Sequence, residues 1–517
     1  MKLEKTTKED RRVKVLTYEY ILPDYEGTLK RVMMSEARVL PCGSSALGGD
    51  VTMTGVVAFS MLYLSVDDTL STLHFEVPYE CSFVVDAEAG NIIEDVRLTS
   101  FSCLPSGPRR VMAKAEVALT LTKVALVDAP TLTDNEGLML LHESHTYHTH
   151  LYSKREEREY AEELFATEGN EPTVLFSDAT VALGESRIMK DGVVVSGICH
   201  IRTLLREDDA VRTVNGEIPF EELIPMGEVL PERAAITTLV QTVAFSVGVQ
   251  KEEGVSRLVA NPTLSFFVQL TRENTESFVV DAYSTRHETN LKREMLTLVQ
   301  EHPLIEHKQR VECRLPKTEG DPLPMKTVLF ARSEGTLVEC TPDDGVVYLL
   351  LKLSHSVAGS DQDAVPAEAQ EGDALQVREI TYVRQRAEST HAINITTPHS
   401  TGNSSYCIHS LLISPPEIYE EEDAFLLCCE VSLTLVLRSE KRLSVVVGAE
   451  GMAEEIERER DSFIITYPDM GATIWHLAKA HHASIPSLLE LNSTLHVTEE
   501  KWNDCSSLSG IKYLLLP

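Results

Sequence analysis

Four histidines fall within nine residues, at His142, His145, His148 and His150, and imidazole nitrogens at that density could bind a transition metal. The helical zinc pattern needs two histidines four apart with a glutamate after the first, and this spacing does not supply it. On a strand, His142, His148 and His150 share one face while His145 turns to the other. A related stretch later in the chain, around Glu301 to His307, does not reproduce the set, so the reading is that no metal binds here. His481 and His482 close an expected helix, where an imidazolium favours the negative helix end. The chain has no Gly-x-Ser-x-Gly elbow and no phosphate-loop lysine. With 80 acidic residues, a pair of carboxylates carries no information. Without a nucleophile, a base and an oxyanion site the chain is expected to be non-catalytic and to need no cofactor.

The residue best suited to bind a partner is Trp475, one of two tryptophans. An indole offers large rigid area to a docking protein. It stands beside the apolar stripe of Ile474, Leu477 and Ala478 on a helix capped by Thr473, so part of its ring is expected at the surface. Its neighbours in that role are Phe463, Ile474 and Lys479. The competing expectation is that Trp475 packs on Phe463 or on the last strand. A second helix starts at Ser484 with Pro486 in its first turn and ends at Asn492. Short strands at 462–467 and 512–517 complete a β-α-α-β order.

Along the whole chain, the strongest signal is repetition. Asp50-Val51-Thr52-Met53-Thr54-Gly55 leads through an apolar run to Asp67-Asp68 and then Val77-Pro78-Tyr79-Glu80. The order returns as Val193-Val194-Val195-Ser196-Gly197, Asp208-Asp209 and Ile218-Pro219-Phe220-Glu221. Each copy reads as a β-hairpin around an Asp-Asp turn. A third, diverged copy shows in Thr327-Val328-Leu329-Phe330, which repeats Thr173-Val174-Leu175-Phe176. Glu430-Val431-Ser432-Leu433-Thr434-Leu435 likewise repeats Glu116-Val117-Ala118-Leu119-Thr120-Leu121, and Val280-Asp281-Ala282 repeats Val127-Asp128-Ala129. These patterns give a mainly β fold. The expected units are 1–170, 171–325 and 326–447, then a charged linker at 448–461, helical or extended, and a small α+β domain at 462–517. The acidic stretch 358–374 reads as a loop inserted in the third unit.

Forty-three per cent hydrophobic residues in 517 provide for real cores. A net charge of −33 repels phosphate backbones and anionic lipid and leaves basic protein surfaces as favoured partners. The first residues are charged and no stretch reaches the length of a spanning helix, so neither export nor direct membrane insertion is expected. The ten cysteines lack paired spacing and are read as reduced thiols.

Two resemblances add to this. The segment from Gly471-Ala472-Thr473-Ile474-Trp475 through Leu477-Ala478-Lys479 and Leu488-Leu489-Glu490-Leu491-Asn492 to Gly510 and Pro517 resembles a LysM domain. Ala472 replaces that family's turn aspartate, and 493–509 is long. The upstream repeats, with Val280-Asp281-Ala282-Tyr283-Ser284, resemble the SPOCS domain of spore-coat morphogenesis proteins. Several SPOCS-like units followed by one LysM-like domain are similar to the SpoIVA-interacting protein L (SipL) family. That resemblance implies a non-enzymatic adaptor in the mother-cell cytosol at the forespore surface. Its LysM-like domain would bind the SpoIVA-like morphogenetic ATPase of the basal coat layer, and its body other coat proteins. The alternative is the usual work of LysM domains, binding peptidoglycan or chito-oligosaccharide.

Overall fold

The computed structural model describes the chain except residues 1, 48, 86–90, 129–131, 133–136, 169–170, 208–209, 227–233, 253, 302–304, 344, 362–380, 397–403, 456–463, 470, 510 and 517. The second Asp-Asp turn at 208–209, most of the acidic loop, and Phe463 therefore lie outside the described residues.

The chain is mainly β. The first unit holds β1 (Lys2–Ile21), β2 (Leu29–Leu47), β3 (Asp50–Ser65), β4 (Leu70–Val84), β5 (Asn91–Gly107) and β6 (Arg110–Asp128). They form an inner sheet β2-β3-β4 and an outer sheet β1-β6-β5. The second unit holds β7 (Leu138–Glu159), β8 (Glu162–Glu168), β9 (Thr173–Met189), β10 (Gly192–Glu207), β11 (Ala210–Pro225), β12 (Ala234–Glu252) and β13 (Val255–Ser284). Its sheets are β9-β10-β11 and β7-β13-β12, with β8 added to β13. The third unit holds β14 (His287–Glu301), β15 (Ile305–Pro316), β16 (Thr327–Asp343), β17 (Val346–Ser360), β18 (Tyr382–Thr396), β19 (Ser404–Ile413), β20 (Glu417–Glu420) and β21 (Ala424–Glu455). Its inner sheet is β16-β17-β18, and β21 pairs β14 and β15 on one side and β19 and β20 on the other. One topology is thus used three times: the opening strand pairs with the closing strand, around an inner three-stranded sheet.

The repeated hairpins land on equivalent strands, β3-β4 and β10-β11. Gly55 faces Tyr79 in the first, and Gly197 faces Phe220 in the second. A Cβ at Gly197 would stand 2.5 Å from both the Phe220 ring and the Ala182 carbonyl oxygen, so the aromatic residue needs the glycine. In the third unit Leu351 faces His391 at the corresponding crossing.

Sheet pairing groups the strands as 2–128, 138–284 and 287–455, earlier than the divisions at 170 and 325 drawn from the repeats. The repeat signals sit mostly in the inner sheets. The opening strands β7 and β14–β15 lack them, yet their hydrogen bonds go forward to β13 and β21. The charged linker also starts later than expected. Gly448 and Glu450 pair with Lys292 and Asn290 as strand, because β14 offers a partner edge that local composition does not reveal.

The three units close on one another as a ring. The first inner strand of each touches the inner sheet of the unit before it: β9 meets β3 and β4, β16 meets β11, and β2 meets β17 and β18. Arg384 donates to the Val32 carbonyl at 2.9 Å and Arg202 to the Ala331 carbonyl at 2.7 Å across these joints. At the centre Met33, Met34, Leu175, Phe176, Leu204 and Phe330 form one shared core, with Phe176 and Phe330 edge to face at 5.4 Å.

After β21 come β22 (Ile464–Thr466), α1 (Ile474–Ala480), α2 (Ile485–Leu491) and β23 (Leu514–Leu516), with β22 and β23 antiparallel. Thr473 caps α1 by accepting from the His476 N–H. Ser484 precedes α2 without a side-chain cap, leaving Pro486 as its start signal. Nine described cysteines are free, and none forms a disulfide. Among the described residues no helix is long and apolar enough to cross a membrane.

Candidate functional site

The C-terminal segment does not stand apart. Its core of Ile474, Trp475, Ala478, Ile485, Leu488 and Leu514 continues into Leu141 of β7 and Tyr283 of β13. The end of the second unit's outer sheet, Val280 to Ser284, forms its floor.

Asp281 is the centre of this contact. Its carboxylate accepts from Trp475 Nε1 at 2.8 Å, from Lys479 Nζ at 2.8 and 2.6 Å, and from Arg293 Nη2 at 2.7 Å. Trp475 and Lys479 are four apart on α1, so both reach one point. Burial pushes the Asp281 carboxyl up, but the bonds from Lys479 and Trp475 outweigh it and hold it below the ordinary carboxylate value. The ionised form is therefore the docked form. Next in the chain, Tyr283 is buried, donates its hydroxyl to the Ala483 carbonyl at 2.6 Å, and meets the Trp475 ring edge to face at 5.0 Å. His482 takes a left-handed conformation, with φ of 53°, and bonds the Ser284 carbonyl at 3.0 Å. The imidazoles at the end of α1 thus include one that recognises the neighbouring unit.

Trp475 is fully buried, which corrects the expectation that its ring reaches the surface. The helical stripe counts only cover from its own domain. There Trp502 lies parallel to the indole at 6.4 Å and receives the Trp475 backbone N–H. The remaining cover, Asp281 and Tyr283, comes from about two hundred residues upstream and left no local signal. Ile474 is also fully buried and packs as core. Lys479 lies on the contact with its side chain partly exposed.

The histidines of β7 follow the strand period only in part. His145 and Tyr147 are buried and His142 and His148 half-buried in alternation, while His150 is buried next to Thr149, where a register shift breaks the expected face. His145 Nδ1 lies 3.1 Å from the Lys441 ammonium, and burial together with that cation pushes its pKa down. His142 turns to Glu499 at 3.3 Å. Among the described residues no group of three or more ligands is placed to hold a metal.

A second polar site lies where the three units meet, beside a cavity of about 710 Å³. Glu36 of β2, Asp178 of β9 and Arg332 of β16 occupy related positions two residues past Met34, Phe176 and Phe330. Arg38 and Arg332 bridge the acids: Arg38 Nη2 to Asp178 at 2.8 Å, Arg332 Nη1 to Glu36 at 3.2 Å. Burial pushes the Asp178 carboxyl up, but Arg332 and Arg38 overcome it and hold it low. A third acid at this point would bring three carboxylates together, and Arg332 in the diverged unit removes that conflict. His355 also lines the cavity, between Ser333 at 2.8 Å and Ser389 at 3.1 Å, and burial pushes its pKa down to about 4. Sequence reasoning missed this set. Only the Thr173/Thr327 repeat could have aligned Asp178 with Arg332.

Residues 173–245 match the family model described as SipL, SPOCS domain. The match covers the inner sheet of the second unit and the start of β12, and ends before Asp281. The second unit is thus similar to the SipL SPOCS domain. No curated protein and no solved structure matched the chain.

Proposed function

We propose that this chain is a non-enzymatic adaptor of spore-coat assembly. The ring of three SPOCS-like units serves as the body that engages coat proteins. The C-terminal LysM-like domain binds the morphogenetic ATPase of the basal coat layer, at the forespore surface in the mother cell. The observation that carries this reading is the SipL SPOCS match at 173–245, on a unit whose topology recurs on either side of it. A body built from one module repeated three times offers several similar surfaces, as a scaffold requires. The binding residues on the C-terminal domain are Trp475, Lys479 and Ile474, together with Phe463, which lies outside the described residues. A tagged full-length chain purified from sporulating cells is expected to bring the coat ATPase with it. A chain ending at Glu455 is expected to lose it. Retention of purified peptidoglycan by the full chain, without the ATPase, would replace this reading with the glycan-binding one.

A further inference from the structure

The face of the C-terminal domain that carries Trp475 and Lys479 is already occupied, and its occupant is part of the same chain. Asp281 fills both donors of α1, Tyr283 covers the indole and bonds Ala483, and the Ser284 carbonyl takes His482. These are the features of a ligand: a carboxylate, then an aromatic ring two residues on, then a backbone carbonyl that meets an imidazole. The attachment is one-sided. Lys479 keeps 37% of its side chain exposed, and the domain follows β21 after a short stretch, 456–463. Strand β21 ends at Glu455, opposite His287, three residues from Ser284, so the tether starts beside the dock. A short tether keeps the local concentration of the domain high and favours docking in cis.

We propose that Asp281 to Ser284 is an intramolecular ligand of the Trp475–Lys479 face, and that a coat partner reaches that face by displacing it with an acidic-aromatic segment of its own. This rests on the adaptor reading for the identity of the partner, but the cis ligand itself does not. The recognition chemistry fixes what the partner presents: a carboxylate positioned to accept from an indole N–H and an ammonium together, with an aromatic ring close behind. While the dock is closed, partner affinity is lowered by the fraction of chains that are open.

The test uses the full chain and its Asp281→Lys variant, with Tyr283→Phe as a milder second. Asp281→Lys places an ammonium against Lys479 and Arg293. Acrylamide quenching of the two tryptophans is expected to rise in Asp281→Lys and, less strongly, in Tyr283→Phe, with the β circular dichroism unchanged. A synthetic peptide spanning Val279 to His287 is expected to restore shielding to Asp281→Lys. The same peptide with asparagine in place of Asp281 is expected to fail. The coat ATPase is expected to bind Asp281→Lys about tenfold more tightly than the parent chain, or better. Unchanged quenching in both variants, or no response to the peptide, would overturn the cis ligand whatever the ATPase does. Increased quenching with ATPase binding unchanged would overturn displacement and move the contact to the exposed side of the domain, where Tyr467 and Tyr513 are 72% and 57% exposed. No ATPase binding by any form would refute the adaptor reading while the quenching still decides the cis ligand.

Discussion

Two joints of this molecule are built on carboxylates held by several donors, buried at one and half-buried at the other. At the ring, Glu36 and Asp178 are satisfied by Arg38 and Arg332, and the cluster stands beside an apolar core to which all three units contribute. At the dock, Asp281 is satisfied by Trp475, Lys479 and Arg293, but one donor is partly in water and the domain it holds is small. The difference teaches which joint is permanent. Separating the ring would expose apolar surface from three units and leave charges without partners. Opening the dock exposes a smaller apolar surface, where Leu141 and Tyr283 meet Trp475, and breaks a few hydrogen bonds that water can replace in part.

The largest effect is expected from Arg332→Leu, which leaves Glu36 and Asp178 sharing Arg38 alone. Denaturant unfolding should show a loss of about 3–5 kcal/mol in the ring, with the C-terminal domain affected only as the second unit unfolds. Next is Gly197→Ala, where the new Cβ meets the Phe220 ring and the Ala182 carbonyl oxygen. A loss of about 3 kcal/mol is expected in the same measurement, and the matching Gly55→Ala, opposite Tyr79, should behave alike. Equal effects support equivalence of the two hairpins.

Acid should separate the joints. His355 has its pKa pushed from 6.5 down to about 4 in the folded chain, so the unfolded chain binds the proton first. Its contribution is complete above pH 6.5 and is lost as the pH falls toward 4, about 2 kcal/mol in all after allowing for solvent screening. Asp281 is held below its ordinary value of 3.8, so its contribution is complete above that value and is lost only as the pH falls through the lower one. Unfolding and tryptophan quenching between pH 7 and 4.5 should show a weakening ring and an unchanged dock. The smallest effect is expected from Tyr283→Phe, about 1 kcal/mol of docking with no change in the ring, since only the bond to the Ala483 carbonyl is lost.

Period and repetition made much of the fold legible. The alternating runs around Val51 and Val193 became the paired strands they describe, and α1 starts where Thr473 caps it. The opening strands β7 and β14 were harder, because what fixes them is a partner more than a hundred residues away. The dock shows the same limit. Trp475 and Lys479 were singled out from type and spacing, and Asp281 to Ser284 from its repeat and family likeness. Nothing in either segment says that the two touch, since a side-chain contact between residues 281 and 475 leaves no periodic trace.

The central claim, that Asp281 holds the C-terminal domain through the Trp475 indole, is tested most directly by hydrogen exchange at the two indole N–H groups of the full chain, resolved by labelling tryptophan with nitrogen-15. One indole N–H is expected to be strongly protected in the parent chain. In Asp281→Asn it should exchange about tenfold faster or more, as expected for a lost charge-assisted bond of about 1.5–3 kcal/mol. Two indoles that exchange at the same rates in the parent and the variant would contradict the account.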